Sequence, residues 1–108
     1  MEKQIAELSL NPKVLFPIGI ILNELLTNIM KYAFVGKKAG RIKIIFKLNN
    51  NYITLTIQDN GVGLPVDFDI KKQKGFGIDL IRMLTEQLEG EFTMENFNGT
   101  RNILKFPV

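Results

Sequence analysis

An acidic residue stands at the end of a predicted strand and is followed by two glycines. In the segment Asp59-Asn60-Gly61-Val62-Gly63 the carboxylate ends an alternating strand pattern, and the glycines let the backbone approach a ligand or take positive φ. A carboxylate accepts hydrogen bonds and does not donate them, so in a pocket it would select a ligand that presents a donor. The same residue types form ordinary turns. The segment alone therefore leaves a turn and a pocket floor open.

A second group of polar residues recurs at helical spacing. Steps of three and four relate Glu24, Asn28, Lys31 and Tyr32, which places them on one stripe at the rim of a helix. A carboxylate and a carboxamide one turn apart could hold a hydrated Mg²⁺ ion, which favours few protein ligands, and could orient a water or an acceptor group. A solvated helix face with Glu–Lys support is the alternative interpretation.

A third candidate lies where a polar loop enters a second predicted helix. Gly75-Phe76-Gly77 precedes the apolar helical pattern, and Lys71, Lys72 and Lys74 lie just before it. Free N–H groups and the dipole at a helix N-terminus favour an anion. This segment therefore predicts a phosphate site, although a GxG before a helix is a weak motif alone.

The elements that must position these residues follow from apolar periodicity and turn signals. We expect a short edge strand over 1–10, and a helix that begins near Lys13 to Pro17 and continues to about Phe34. A strand pair at 41–48 and 52–59 is joined at 49–51. A polar loop at 66–74 leads into the second helix, which stops at Gly90. A final strand pair at 91–97 and 100–107 is joined at Asn98-Gly99, a strong hairpin signal. This order predicts an α+β two-layer sandwich with both helices on one sheet face. An alternating β-α-β fold is excluded.

Composition limits the chemistry. The chain has 108 residues, a net charge of +3, no cysteine and no histidine, so disulfides, thiolate and imidazole chemistry and an internal phosphohistidine are excluded. The length predicts one domain over 1–108. The basic residues form two short clusters without interleaved aromatics, so we expect no nucleic-acid partner. We also expect no membrane contact and a cytoplasmic location, because no secretory signal is evident and Pro17 and Gly19 interrupt the longest apolar run.

Together these segments resemble the GHKL ATPase superfamily, which includes DNA gyrase B, the ninety-kilodalton heat-shock chaperones, histidine kinases and MutL. The chain is most similar to the catalytic ATP-binding domain of a two-component sensor histidine kinase, over about Leu10 to Val108. The segment 23–33 is similar to the N box, 59–63 to the first glycine box and 75–78 to the second. Gly99-Thr100 resembles the closing Gly-Thr. The resemblance implies a mixed, mainly antiparallel sheet.

The resemblance also implies roles for individual residues. Asn28 would be the Mg²⁺ ligand, and Glu24 matches the general base of the ATPase branches. Asp59 would accept a hydrogen bond from the adenine amino group, and so prefer ATP to GTP. The remaining residues expected to contact the nucleotide are Lys31, Tyr32, Gly61, Gly63, Lys74, Gly75, Phe76, Gly77 and Thr100, the last through a hydroxyl that supports the aspartate.

The implied function is a protein histidine kinase that passes the γ-phosphate of Mg-ATP to a histidine on a separate dimerisation domain. A response regulator would be an indirect partner of this domain. The dimerisation and phosphoacceptor segments are expected to lie outside this chain, with Met1 as an expression start. A separate phenylalanine-containing box is not evident, although Phe68 lies in the short lid. An anti-sigma factor serine kinase of the same fold and a protein-binding module without nucleotide are the alternatives.

Overall fold

The chain forms an α+β fold with one sheet and two main helices. A computed structural model describes residues 2–5, 12–33, 40–64 and 76–107. The elements are β1 (Glu2–Ile5), α1 (Pro12–Asn28) with a π-helical turn (Ile29–Ala33), β2 (Ile42–Asn49), β3 (Tyr52–Asp59), α2 (Phe76–Gln87), β4 (Glu91–Asn96) and β5 (Thr100–Pro107). The predicted order of elements is confirmed.

The five strands lie in the order β1-β2-β3-β5-β4. β1 pairs with β2 in parallel, and the other three pairings are antiparallel. The predicted mixed, mainly antiparallel sheet is therefore confirmed, and the edge strand near the N-terminus lies at Glu2–Ile5. The connection between β2 and β3 is a two-residue turn at Asn50-Asn51, with φ of 53° and 63°. Positive φ at both central residues is typical of the hairpin turn whose twist matches the strands.

Strand alternation divides the sheet into a covered face and an open face. Ile53, Leu55 and Ile57 on β3 are buried, and their neighbours on β5 in the paired register include Leu104 and Phe106. Both helices pack on this face, because their own buried residues belong to the same core cluster, which includes Ile21, Leu25, Ile29, Ile81 and Leu84. The predicted arrangement of two helices on one side of the sheet is confirmed.

The two helices run antiparallel across the sheet. Phe16 near the start of α1 lines a groove with Gln87 at the end of α2. At the other end, the carboxylate of Glu24 lies next to Gly77 in the first turn of α2. The polar rim of α1 and the N-terminus of α2 are thus brought to the same end of the fold.

The first helix keeps close to its predicted bounds but changes in type before its end. It begins at Pro12, where a missing N–H costs nothing, one residue before the predicted start near Lys13, and Pro17 lies inside the helix and is buried. At its other end the helix changes to a π-helical turn over Ile29–Ala33. Such turns are rare and are frequent at functional sites.

The ends of α2 and of the last hairpin also differ from prediction. Gly90 does not take the left-handed conformation that the predicted stop implied; Glu89 does, with φ of 56°. The backbone N–H of Gly90 bonds the carbonyl of Thr85, and that of Glu89 bonds Glu86, which together form a Schellman cap. Glycine is needed at position 90 for a different reason, because a Cβ there would clash with the carbonyl of Lys105. The hairpin between β4 and β5 has three loop residues, 97–99, so the predicted extension of β4 to 97 is one residue too long.

The helical stretch Pro12–Lys31 is long and apolar enough to cross a membrane, judged by length and composition alone. Pro17 and Gly19, which were expected to interrupt the longest apolar run, both lie within this stretch. Core helices of folded domains pass the same test, and the buried stripe of this helix packs on the sheet. The residues of α1 that are buried in this way are Pro17, Ile18, Ile21 and Leu25.

Candidate functional site

Asp59, the last residue of β3, lies at the centre of the candidate site. Its side chain is only 3% exposed. One carboxylate oxygen, Oδ1, accepts hydrogen bonds from the backbone N–H of Gly61 at 2.8 Å and of Thr100 at 3.3 Å. The other, Oδ2, is buried and has no partner within the described residues. Because buried polar atoms are nearly always hydrogen-bonded in native proteins, Oδ2 is a candidate acceptor for a ligand.

The support that Asp59 receives from the final hairpin comes through the backbone. Gly99 packs so closely on the carbonyl of Asp59 that a Cβ on this glycine would clash with it, and its φ is 130°. This contact brings the N–H of Thr100 to the carboxylate. The resemblance implied that the hydroxyl of Thr100 supports Asp59. Thr100 is buried, and the hydrogen bond that it donates to Asp59 comes from its backbone N–H.

The first glycine of the motif joins the strand end to the first helical segment. A Cβ on Gly61 would overlap the carbonyl of Ala33, and the N–H of Val62 donates to that carbonyl at 2.8 Å. Ala33 is the last residue of the π-helical turn. The contact therefore fixes the end of the N-box helix against the strand that carries Asp59.

The second glycine of the motif is held from β4. The side chain of Asn96 accepts a hydrogen bond from the N–H of Leu64 at 2.6 Å and donates to its carbonyl at 3.2 Å. The same side chain lies next to Gly63, where a Cβ would approach Asn96 Oδ1 to 2.8 Å. Asn96 thus holds the segment that follows Asp59 through two hydrogen bonds to Leu64. The sequence did not predict this role for Asn96.

The rim of α1 carries two of the predicted site residues. Glu24 and Asn28 are both half-buried, as their shared stripe predicted. A Cβ on Gly77 would come within 2.7 Å of Glu24 Oε2, so the glutamate lies over the first turn of α2, where the helix dipole favours a negative charge. Within the described residues, no group of three or more acidic, histidine or cysteine side chains could hold a metal ion. A metal here would need ligands from elsewhere, as Mg²⁺ does when it binds together with phosphates.

The other predicted contacts are described to different extents. Lys31 lies on the π-helical turn with an exposed side chain, whereas for Tyr32 and Phe76 only the backbone is described. The predicted lid, its lysines including Lys74, and Gly75 lie outside the described residues. The structure thus brings the N box, the first glycine box, the start of α2 and the closing Gly-Thr to one end of the fold.

Comparison with known proteins adds an independent finding. A family model described as "Histidine kinase-, DNA gyrase B-, and HSP90-like ATPase" matches residues 16–108. The sensor histidine kinase PdtaS of Mycolicibacterium smegmatis is 29% identical over 93 residues, which are 82% of this chain and 19% of that protein. The blue-light-activated histidine kinase 2 of Erythrobacter litoralis is 26% identical over 92 residues, 84% of this chain and 26% of that protein. The chain thus spans about a quarter or less of these curated relatives.

Solved structures agree on the fold. The histidine kinase domain of a blue-light-activated histidine kinase from Erythrobacter litoralis superposes with a TM-score of 0.89 at 23% identity, over 98% of this chain and 50% of that one. The histidine kinase AdeS of Acinetobacter baumannii gives a TM-score of 0.68 at 22% identity, over 84% of this chain and 45% of that one.

Proposed function

We propose that this chain, which belongs to the family of histidine kinase-, DNA gyrase B- and HSP90-like ATPases, binds Mg-ATP at the site around Asp59 and acts as the catalytic domain of a sensor histidine kinase. The observation that carries the proposal is the unequal use of the two Asp59 oxygens. Oδ1 is occupied by two backbone donors, while the buried Oδ2 has no partner in the described part of the chain. The fold orients this side chain and leaves one acceptor for a ligand.

The chemistry of that acceptor favours adenine. The exocyclic amine of adenine is a donor and would satisfy Oδ2, whereas guanine presents a carbonyl at the same position and would place two acceptors face to face. When such a mismatch is buried it costs about 1–3 kcal/mol. We therefore expect a preference for ATP over GTP. Gly61 would keep the N-box helix against the base site through its contact with Ala33.

The metal and phosphates would lie along the rim of α1. The carboxamide oxygen of Asn28 suits Mg²⁺, a hard cation that keeps several waters and is usually held by few protein ligands plus phosphate oxygens. When bound, Mg²⁺ would neutralise phosphate charge. Lys31, on the π-helical turn, would approach the phosphates. The other residues proposed to contact the phosphates are Lys74, Gly75, Phe76 and Gly77. Gly63 and Tyr32 would border the base, and Thr100 would hold Asp59.

The expected reaction is transfer of the γ-phosphoryl group to a histidine nitrogen outside this chain. The bond between that phosphorus and the bridging oxygen breaks, ADP leaves with the electron pair, and a bond from nitrogen to phosphorus forms. The sequence contains no histidine, so a histidine acceptor would come from outside this chain, and we propose that a dimerisation domain supplies it, with a response regulator downstream. Glu24 would orient the attacking group. The similarity to proteins named as histidine kinases favours a histidine acceptor over the serine of an anti-sigma factor system. We also propose a cytoplasmic location for this domain.

A thermal-shift titration with ATP, ADP and GTP, each with and without Mg²⁺, tests the proposal. Stabilisation by the adenine nucleotides that grows with ligand concentration, as mass action requires, is the expected result. The matched control is Asp59→Asn, which should lose the shift. No shift with any nucleotide at millimolar concentration would contradict nucleotide binding and favour a protein-binding module.

A further inference from the structure

Asn102 is a second buried residue with an unused acceptor. It lies on β5, is 3% exposed, and its side-chain amide Nδ2 donates to the carbonyl of Ile57 at 3.4 Å. Its Oδ1 has no hydrogen-bond partner among the residues that the structure describes. Within the described residues, this atom and Asp59 Oδ2 are the two buried side-chain oxygens that lack a partner.

The two residues that carry the unpartnered oxygens are neighbours on the covered face of the sheet. Asn102 pairs with Ile57 in the register of β3 and β5, and Asp59 follows Ile57 by two residues on the same face. Asn102 and Asp59 are therefore diagonal neighbours, with Cα atoms roughly 7–8 Å apart in such a pair. Two short side chains at this separation can share one hydrogen-bonding group between them.

The surroundings of Asn102 would accept an apolar residue. Its partners in the same row are Ile57 on β3 and Met94 on β4, and the next core-facing residue along β5 is the buried Leu104. An asparagine in such a row leaves a buried acceptor unsatisfied in the free domain, which is unfavourable. A ligand that supplies the missing donor accounts for the residue type.

We propose that Asn102 is a specificity-determining residue of the base pocket: its Oδ1 and Asp59 Oδ2 form a pair of acceptors that select the exocyclic amine of adenine. The amine has two N–H groups, and either it or one buried water that it holds can satisfy Asn102 Oδ1. A purine with a 6-carbonyl presents an acceptor, and no donor, at the position of the amine. This inference rests on the proposed function and extends it, because it assigns part of the discrimination between bases to β5.

The test compares ADP with IDP, which carries a carbonyl in place of the amine, by titration calorimetry on the wild-type chain and on Asn102→Leu. Leucine keeps the approximate shape and removes the unused acceptor, so the free variant should melt at a higher temperature. Affinity for ADP should fall about tenfold, the value of one hydrogen bond at the upper end of the usual range. Affinity for IDP should change less than threefold, so the ratio of the two dissociation constants shrinks. Asn102→Val serves if leucine does not fold.

Thr85→Val is the matched control. Thr85 is buried in α2 and its hydroxyl donates to the carbonyl of Ile81 at 2.6 Å, so this variant removes a polar group from the same core and should leave the ADP-to-IDP ratio unchanged. A higher melting temperature for Asn102→Leu with an unchanged ratio would overturn the inference and leave nucleotide binding intact. A wild-type chain that binds neither nucleotide would overturn both proposals.

Discussion

The substitution Asp59→Asn separates ligand recognition from folding, because the two carboxylate oxygens have different partners. An asparagine oxygen can still accept from the N–H groups of Gly61 and Thr100, as Oδ1 does now. The amide nitrogen then takes the place of Oδ2, which is buried and unpartnered within the described residues. The internal contacts are kept, and a donor replaces the acceptor that faces the ligand.

The magnitude follows from two effects. Losing a hydrogen bond to a charged group costs about 1.5–3 kcal/mol, and leaving two buried donors facing each other costs about 1–3 kcal/mol more. We therefore expect ADP affinity to fall by about 3–6 kcal/mol, which is about two to four orders of magnitude. The same amide nitrogen can donate to a 6-carbonyl, so IDP should lose much less affinity, and the preference between the two nucleotides should reverse.

Titration calorimetry with ADP and IDP measures both effects, with circular dichroism and the melting temperature as checks on the fold. Asp59→Ala is the matched comparison, because it also removes the acceptor for Gly61 and Thr100. Each buried N–H left unpaired costs about 1–3 kcal/mol, and 1 kcal/mol lowers the melting temperature of a domain of this size by about 4–8 °C. An Asp59→Asn chain that stays folded and binds ADP within threefold of the wild type would refute the assignment of Oδ2.

Three further predictions follow from other contacts. Glu89→Gly should stabilise the fold by about 1 kcal/mol, because glycine takes the positive φ of 56° without the cost to a side chain; urea denaturation measures it, and a destabilised variant would contradict the cap. Gly77→Ala should raise stability by about 0.4–1 kcal/mol in a Glu24→Ala background, where only the helix benefit remains, and by less in the wild type, where the end of the Glu24 side chain must move away from the new methyl group; equal effects in the two denaturation series would argue against the contact of Glu24 with Gly77. Asn28→Ala should remove the gain in ATP affinity that Mg²⁺ provides while affinity for adenosine stays within about threefold, because a lost ligand weakens the metal and not the base contact; a Mg²⁺ effect of unchanged size in calorimetry would contradict the ligand role.

Local patterns predicted the fold because each pattern agreed with the tertiary contacts. The alternation in β3 places Ile53, Leu55 and Ile57 on one face, and the structure buries these three. The shared stripe of Glu24 and Asn28 predicted their place at the rim of α1. Strong agreement between local preference and global packing is what makes such reasoning work.

Other features could not be predicted because two requirements compete for neighbouring positions. After α2, one residue must take positive φ and the next must approach the carbonyl of Lys105 without a Cβ. The single glycine, Gly90, meets the second requirement, so Glu89 takes the strained conformation. Glycine is the usual sequence signal for the left-handed residue after a helix. Here the glycine is residue 90, whereas the left-handed residue is Glu89.

The two asparagines that the prediction missed differ in how visible they are. Asn102 could have been found, because it stands between Thr100 and Leu104 at a core-facing position of a clear strand pattern, where a polar residue needs a partner. Asn96 could not, because its contacts with Leu64 join residues 32 positions apart. Nothing local to a strand end shows that its side chain will bond a distant backbone.

The glycines of the site act mainly on the protein itself. Gly61 permits contact with Ala33, Gly99 permits contact with Asp59, and Gly77 lies under Glu24. These approaches bring four segments from distant parts of the chain to one end of the sheet, before any ligand is considered. Within the described residues, the buried oxygens of Asp59 and Asn102 remain without a partner, and these are the atoms that we propose contact the base. Substituting a glycine should therefore disturb the geometry of the whole site, whereas substituting either of the two oxygen-bearing residues should change which base it prefers.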